Sequence, residues 1–358
     1  MFNNIIYFII VLLIFAINHP DKVQKGSFLS FLTLFFLTWG IFAAYCRWGF
    51  LGIQKRLSNR KVNYSRLSAQ YHQLIARLSI LSIFLFILAV YLLNLKYWIR
   101  MIPGMELLSV LQGMFALAIF FIYLGTIWYF AYPVYRIIFQ QEITRRSFLR
   151  SNLRLNLPIL FPWMALSLVY DLIAMSPWGG NDGFLSGVAG NIIFFAGFIT
   201  LLMIYMPVII QYWWGCKPLE ISEKTRALRA FLRDKGFRYR HLLRWPIFEG
   251  QMMTAGIMGL VSRYRYILVT DALLEILTIE ELKAVLAHEM GHAKYRHLFF
   301  YVLFFVGFMV ISFGLQDVLQ YIFYMHPFFM KMISGNDLQS INIYYLVLTI
   351  PMLVIMSF

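Results

Sequence analysis

The stretch LSILSIFLFILAVYLLNLKYW, residues 78–98, decides the class of fold to which this chain belongs. It contains one charged residue, Lys96. As a helix that rises 1.5 Å per residue it would be about 30 Å long, which is the thickness of the hydrocarbon core of a bilayer. Apolar runs of the same kind recur on both sides of it. We predict eight membrane spans, near residues 2–18, 28–46, 78–98, 107–131, 157–175, 190–213, 298–324 and 341–358.

The composition of the whole chain agrees with an integral membrane protein. Of its 358 residues, 61% are hydrophobic and 13% are charged, whereas a typical soluble domain is about 45–50% apolar and about 25% charged. These values exclude an ordinary soluble enzyme and a disordered chain. The two cysteines, Cys46 and Cys216, form neither a CxxC pair nor a disulfide framework, so they predict no redox chemistry and no thiolate metal site.

The distribution of basic residues predicts the orientation of the spans. Segment 47–77 holds seven basic residues and no acid, and segment 132–157 holds five basic residues against Glu142 alone, whereas the alternate loops hold few. The positive-inside rule then places the N-terminus, both basic loops and segment 214–297 in the cytoplasm. The net charge of +15 therefore indicates membrane topology and attraction to anionic lipid head groups. We predict the lipid bilayer as the partner of these charges, and no nucleic acid.

Segment 214–297 is the only sizeable polar stretch, and we predict that it folds as a small α+β domain. Residues 221–235 have the spacing of a helix that stops at Gly236, and residues 264–270 are rich in β-formers. The chain thus divides into an N-terminal membrane region, the polar domain and two further membrane helices. The predicted boundaries of these three parts are 1–213, 214–297 and 298–358.

A capping box begins the helix that carries the chemistry of this domain. Thr278 and Glu281 can each accept a hydrogen bond from the backbone of the other, which marks a helix start. The helix then contains His288-Glu289-Met290-Gly291-His292. Side chains four residues apart lie on the same face of a helix, so both imidazoles can bind one metal ion.

The types of residue in this pattern indicate zinc-dependent hydrolysis. Neutral imidazole nitrogen is a good ligand for Zn²⁺, and Glu289 can take a proton from the water that the metal activates. We therefore predict one Zn²⁺ per chain, held by His288 and His292, with Glu289 as the catalytic general base. A bare pattern of this kind also occurs by chance, but its place on a capped helix favours the metal site. His297 falls on the opposite helix face from His288, which disfavours it as a third ligand.

The order of these elements resembles the membrane zinc metallopeptidases typified by HtpX and the CAAX prenyl proteases. The resemblance covers roughly residues 250–300 and is carried by ILVTDALL at 267–274, EELKAVLAHEMGH at 280–292 and the pair Arg296-His297. It implies a gluzincin-like endopeptidase at the cytoplasmic membrane face. The same resemblance implies that His288 and His292 bind zinc and that Glu289 is the general base.

Two features of that family are not matched in this sequence. The family supplies a third zinc ligand from a Glu on a helix that follows two further spans, but no Glu follows Glu289 here. We expect the helix with this ligand to lie beyond Phe358. The family also has Asn-Ala at the start of an edge strand that pairs with substrate, where this chain has Gln251-Met252 ahead of Gly256. Pairing with substrate by strand addition stays open.

We predict a zinc metalloendopeptidase that cleaves membrane-associated or membrane-proximal polypeptides at the cytoplasmic face. Its role would be protein quality control or the processing of a specific substrate. No organellar targeting segment is recognised, and we expect a bacterial cytoplasmic (inner) membrane location. The alternative is a catalytically inactive, peptidase-like membrane scaffold or a transporter-like protein, which the missing third carboxylate favours. The oligomeric state is left open.

Overall fold

The computed structural model describes residues 3–18, 27–57, 64–105, 108–140, 142–176, 188–246 and 253–295, with a few isolated residues between 300 and 330. The chain divides into two compact units. The first comprises residues 1–145 and 309–358, and the second comprises residues 146–308.

The described part of the first unit is helical. Helices α2, α3 and α5 are each long and apolar enough to cross a membrane, and α1 is a shorter apolar helix. Helix α5 contacts each of α1, α2, α3 and α4, so it lies at the centre of the group. The five helices are α1 (Asn3–Ile17), α2 (Phe28–Leu57), α3 (Tyr64–Tyr91), α4 (Leu95–Arg100) and α5 (Ser109–Ile138).

Aromatic side chains fill the contacts between these helices. The ring of Phe8 on α1 meets Phe120 on α5 edge-on at 5.9 Å, and Phe42 on α2 meets Tyr123 on α5 at 5.5 Å. All four side chains are buried. Edge-to-face aromatic pairs add roughly 0.5–1.5 kcal/mol beyond the area that they bury. The buried faces of the helices are therefore specified by aromatic shape as well as by apolar character.

A lysine from α4 holds the end of α1. The Nζ atom of Lys96 donates to the carbonyl oxygens of Phe15, Ala16 and Asn18 at 2.8, 3.0 and 2.7 Å. The last carbonyls of a helix have no partner within the helix, and the negative end of the helix dipole attracts a cation. Lys96 satisfies both requirements at once, which fixes where α1 ends.

The membrane helices of the second unit include a broken pair. Helices α6 (Arg145–Asn156) and α7 (Phe161–Ala174) are joined by a 3₁₀ turn (Leu157–Leu160), and they are bent by 52°. Pro158 lies in that turn and Pro162 in the first turn of α7. Proline has no N–H to donate and its ring crowds the preceding turn, so it bends or breaks a helix, which accounts for the bend between α6 and α7. Helix α8 (Val188–Trp213) follows and contains a further apolar stretch of spanning length.

The described residues contain four helices with the length and composition of membrane spans, or five if the bent pair forms one span. The chain is thus a helical membrane protein, but the predicted number of eight spans is not confirmed. The predicted first span corresponds to α1, which is shorter than the others. The predicted spans at 298–324 and 341–358 lie almost wholly outside the described residues.

A four-stranded mixed sheet follows α8. The strand order is β1-β2-β4-β3, with β2 and β4 parallel and the other two pairs antiparallel. The predicted strand at 264–270 is confirmed as β4 but begins later, because Ser262–Tyr264 forms a 3₁₀ turn. The elements are β1 (Lys217–Pro218), α9 (Glu223–Asp234), β2 (His241–Arg244), β3 (Ala255–Met258), β4 (Tyr266–Val269), α10 (Asp271–Ile276) and α11 (Ile279–Lys294).

Both faces of the sheet are covered, which explains why every side chain of β4 is buried. Successive strand residues point to opposite faces. Ile267 therefore packs with Leu228 of α9 and Leu286 of α11. Tyr266 points the other way and packs with Trp214, the residue directly after α8. The sheet of the second unit thus rests on the end of a membrane-spanning helix on one side and carries α9 and α11 on the other.

The helix predicted at 221–235 is confirmed as α9. The side chain of Ser222 accepts the backbone N–H of Thr225 at 3.1 Å, which caps its first turn. Gly236 adopts φ +63° just after the helix ends, a left-handed conformation that glycine takes without strain. The predicted domain boundaries at 213/214 and 297/298 stay predictions.

Candidate active site

Helix α11 begins at the predicted capping box, which the structure confirms. Thr278 Oγ1 accepts the backbone N–H of Glu281 at 3.3 Å, and Glu281 Oε2 accepts the backbone N–H of Thr278 at 2.8 Å. The Thr278 hydroxyl donates to the same carboxylate at 2.8 Å. These hydrogen bonds favour the charged form, so they hold the pKa of Glu281 below its usual value. The start of the helix is fixed by contacts among four consecutive residues.

The apolar face of α11 sets the rotation of the helix. Leu282 and Leu286 are buried against the sheet, and Val285 and Met290 pack against the same core. These positions recur every three or four residues, which is the spacing of one helix face. His288 and His292 are exposed. The packing of α11 therefore leaves both imidazoles accessible.

The two predicted metal ligands are brought together. The Nε2 atoms of His288 and His292 are 3.2 Å apart, their ring centroids are 4.8 Å apart, and the rings are nearly perpendicular. A tetrahedral Zn²⁺ with Zn–N bonds of about 2.0–2.1 Å places two ligand nitrogens about 3.3 Å apart. The spacing of the two nitrogens therefore fits a shared zinc ion.

The remaining site residues are placed less completely. Glu289 is partly exposed on α11, beside His288 in sequence. Among the described residues, no three His, Cys, Asp or Glu side chains lie close enough to hold a metal ion. His297 and the pair Gln251-Met252 lie outside the described residues. The structure thus brings together the two predicted ligands, and the third ligand stays a prediction.

Long-range polar contacts hold both ends of α10, the helix directly before α11, and sequence reasoning missed them. Lys224 Nζ of α9 donates to the carbonyl oxygens of Leu274 and Leu277 at 2.5 and 2.7 Å, just before the capping box. Arg244 of β2 binds the carboxylate of Asp271 through Nε at 2.8 Å and Nη2 at 2.6 Å. The partners are 27 to 53 residues apart, so no local pattern marks them.

Strand β3 is the terminal strand of the sheet and packs against α11. Ala255 and Ile257 point to the core that α11 covers, and Met258 points to the opposite face. Thr270, directly after β4, donates its hydroxyl to the Thr254 carbonyl at 3.0 Å and accepts the Thr254 N–H at 3.1 Å. The start of β3 is thereby tied to the end of β4.

A capped helix that presents two histidines four residues apart, packed on a mixed sheet beside its terminal strand, is the arrangement expected of a metallopeptidase domain. Comparison with protein families agrees. Residues 227–353 match the sequence model of peptidase family M48. The resemblance to HtpX-like and CAAX prenyl protease-like metallopeptidases is therefore confirmed. Searches of curated proteins and of solved structures gave no match.

Proposed function

We propose that this chain is a zinc-dependent endopeptidase that cleaves membrane-associated or membrane-proximal polypeptides at the cytoplasmic face of a membrane. The observation that carries the proposal is the 3.2 Å spacing between the Nε2 atoms of His288 and His292 on α11. That helix lies within the segment that matches a peptidase family. Both imidazoles are accessible from solvent, as the binding of a metal and a substrate requires.

Three residues of α11 would carry the chemistry. His288 and His292 would bind the metal through Nε2, and both must be neutral to do so. A bound zinc ion supplies a Lewis acid and lowers the pKa of water toward neutrality. The Glu289 carboxylate would accept the proton of the attacking water and pass it to the nitrogen of the leaving amine. The peptide C–N bond breaks in that second transfer, and Glu289 returns to its charged form.

The packing of the second unit supports a substrate near the membrane. Trp214 follows α8 directly, and its ring stacks on Trp245 at 4.8 Å beside the sheet. Tyr205 within α8 meets Tyr264 before β4 at 5.4 Å. The sheet that supports α11 is therefore in contact with the end of a membrane-spanning helix. Polypeptide that emerges from the bilayer is the substrate that such a position favours.

The position of β3 at the edge of the sheet, among the strands that the structure describes, supports an extended mode of substrate binding. β3 is terminal in the sheet and packs against the helix that carries the histidines. A terminal strand presents unpaired N–H and C=O groups, which an extended peptide can match by strand addition. We infer that substrate main chain pairs with β3, which would bring a scissile peptide toward α11. Side-chain preference would then come from pockets beyond the strand.

The excess of basic residues in segments 47–77 and 132–157 supports the cytoplasmic orientation. We extend the proposal to a bacterial inner membrane, with a role in protein quality control or in the processing of a specific substrate. Reporter fusions after residues 60 and 220 test the orientation. Cytoplasmic reporter activity is expected at both points, and periplasmic activity at either would contradict it.

The decisive experiment replaces Glu289 with Gln in the full chain, purified in detergent. The expected result is a loss of peptide cleavage by about 10²–10⁴-fold, because a general base contributes about that much. Zinc content, measured by elemental analysis, should stay at that of the wild type. The matched control is Glu275→Gln, an exposed acid on α10, which should keep both cleavage and zinc. His288→Ala and His292→Ala should each lower the zinc content.

The inactive scaffold is the competing function, because the described residues bring two possible metal ligands together and no third. An inactive scaffold predicts a different result of the Glu289→Gln experiment. Wild type and Glu289→Gln would then behave alike in every cleavage assay. Zinc that stays bound in both histidine variants would show that these residues form no metal site.

A further inference from the structure

A groove of about 450 Å³ lies between α2 and α3 in the first unit. The residues that line it on α2 recur at the spacing of one helix face, as do those on α3. Two of them are arginines, two are glutamines and two are aromatic. The lining includes Trp48, Gly52, Arg56, Gln70, Gln73 and Arg77.

Two glycines of α2 explain why the groove exists. At Gly49, an added Cβ would lie 3.2 Å from Cδ2 of Leu74, so the two helices are in close contact there. One turn further on, a Cβ at Gly52 would meet nothing within 4 Å. The helices therefore touch at Gly49 and leave open space at Gly52. The open space is the groove.

The two helices that line the groove contribute basic residues to it and contain no acid. Arg56 Nη1 donates to Oε1 of Gln70 at 3.0 Å, which orients the guanidinium at one end. Arg77 lies seven residues beyond Gln70, which is about 10 Å along α3. Between Asp21 and Glu106 the sequence has no Asp or Glu. A groove with two arginines and no carboxylate from its own helices suits an anion, and guanidinium groups are the side chains that bind phosphate best.

The groove also lies at the level where the helices leave the hydrocarbon. Helix α2 has 30 residues, so it is about 45 Å long and exceeds the roughly 30 Å hydrocarbon core. Its last turn contains Lys55 and Arg56, and the apolar part of α3 begins directly after Arg77. Trp48 is 73% exposed on the same face, and Trp is typical of the membrane–water interface.

We propose that this groove binds the head group of an anionic phospholipid from the surrounding leaflet. The phosphate lies between Arg56 and Arg77, where Gln73 offers a further amide donor. An acyl chain of the same lipid runs along the exposed ring of Trp48. Free phosphate would satisfy the arginines but leave this apolar rim unused, whereas a phospholipid matches both the charge and the apolar surface.

The first test removes the charge of the groove. The full chain is placed in nanodiscs of phosphatidylcholine, and binding of phosphatidylglycerol is titrated by native mass spectrometry. Arg56→Gln with Arg77→Gln should weaken binding by about tenfold or more, because the variant removes both charged donors to the phosphate. The matched control is Arg47→Gln with Arg66→Gln, which changes the net charge equally at exposed positions outside the lining. It should leave binding nearly unchanged.

The second test fills the groove without a change of charge. Gly52→Leu places a side chain into the open space, and Gly40→Leu is the matched control, since its Cβ also meets nothing within 4 Å. Leucine is a better helix former than glycine, so both variants should fold. Gly52→Leu should weaken lipid binding by about tenfold or more, because its side chain occupies the space of the head group and keeps the phosphate from the arginines, whereas Gly40→Leu should bind as the wild type does.

Three outcomes would overturn the proposal. Equal losses in the two arginine pairs would mean general attraction of lipid to a basic surface. Phosphatidylcholine that binds as tightly as phosphatidylglycerol would mean that the groove does not select an anion. Excess inorganic phosphate that displaces the lipid completely would mean that free phosphate is the ligand.

Discussion

Helix α11 in the second unit and helix α1 in the first are both capped, but by partners at very different distances along the chain. Thr278 and Glu281 cap the start of α11 from three residues apart. Lys96 caps the end of α1 from 78 to 81 residues away. The first device belongs to the helix itself and forms as the helix forms. The second forms only after α4 has docked against α1, so it reports on the assembly of the unit.

The two units also differ in what an exposed apolar side chain means. In the sheet region, Ile267 is fully buried under α9 and α11. On α2, Ile41 is 64% exposed although it lies in the middle of an apolar helix. The surroundings of α2 are lipid, where such a side chain loses nothing by facing outward. Burial therefore measures stabilisation in the sheet region, but not on the outer face of α2.

The largest effect is expected when isoleucine is replaced by alanine once in the sheet region and once on the outer face of α2. Ile267→Ala removes a buried side chain from the centre of the sheet and should cost about 2–5 kcal/mol. At about 2–4 °C per kcal/mol, the melting temperature in detergent should fall by about 4–20 °C. The matched variant Ile41→Ala should change stability by no more than about 0.5 kcal/mol. Equal losses in both variants would mean that α2 buries Ile41 against protein.

The lysine cap of α1 should give the next largest effect. Lys96→Met keeps a long apolar stem but leaves the carbonyl oxygens of Phe15, Ala16 and Asn18 without their donor. An unsatisfied buried polar group costs about 1–3 kcal/mol, and thermal unfolding of the full chain measures the loss. Lys55→Met, at an exposed position on α2, should cost little. If the two lysine variants have the same melting temperature, the hydrogen bonds of Lys96 add nothing to stability, because solvent replaces them.

The distance along the chain between interacting residues explains which features could be predicted from the sequence. The capping box, the stop of α9 at Gly236 and the pairing of His288 with His292 all depend on residues within one or two helical turns, and the structure contains each of them. The strand order and the contacts of Lys224 depend on residues far apart, and no local pattern marks them.

Hydropathy predicted apolar segments better than it predicted helices. The predicted span at 157–175 is a 3₁₀ turn followed by α7, because Pro158 and Pro162 interrupt the backbone hydrogen bonds. The mean hydropathy of a segment does not detect that interruption. Helices α2 and α3 likewise extend well past the predicted apolar runs toward each other in sequence, since their basic and polar turns continue the same helices. That extension creates the groove beside Arg56.

A smaller effect is expected from the local cap of α11. Thr278→Ala removes the hydroxyl that accepts the N–H of Glu281, and loss of such a cap costs about 0.5–2 kcal/mol. The matched control is Thr33→Ala on α2, where the exposed hydroxyl only donates to Leu29 of its own helix. That control should stay within about 0.5 kcal/mol of wild type. A Thr278 variant as stable as wild type would mean that α11 is held by its packing alone.

The smallest effect concerns the carboxylate of Glu281, the second residue of the same capping box. Hydrogen bonds from the Thr278 N–H and hydroxyl lower the pKa of Glu281, so folding favours its charged form. The stabilisation is then fully present above the ordinary glutamate value of about 4.3, and it is lost as the pH falls through the lower value of the folded protein. Glu281→Gln removes the ionisable group. The melting temperature of wild type relative to this variant should therefore be constant near neutrality and decline only in acid. A difference that stays constant down to the pH of acid unfolding would mean that the charge of Glu281 adds nothing to the cap, and that the neutral hydrogen bonds account for all of it.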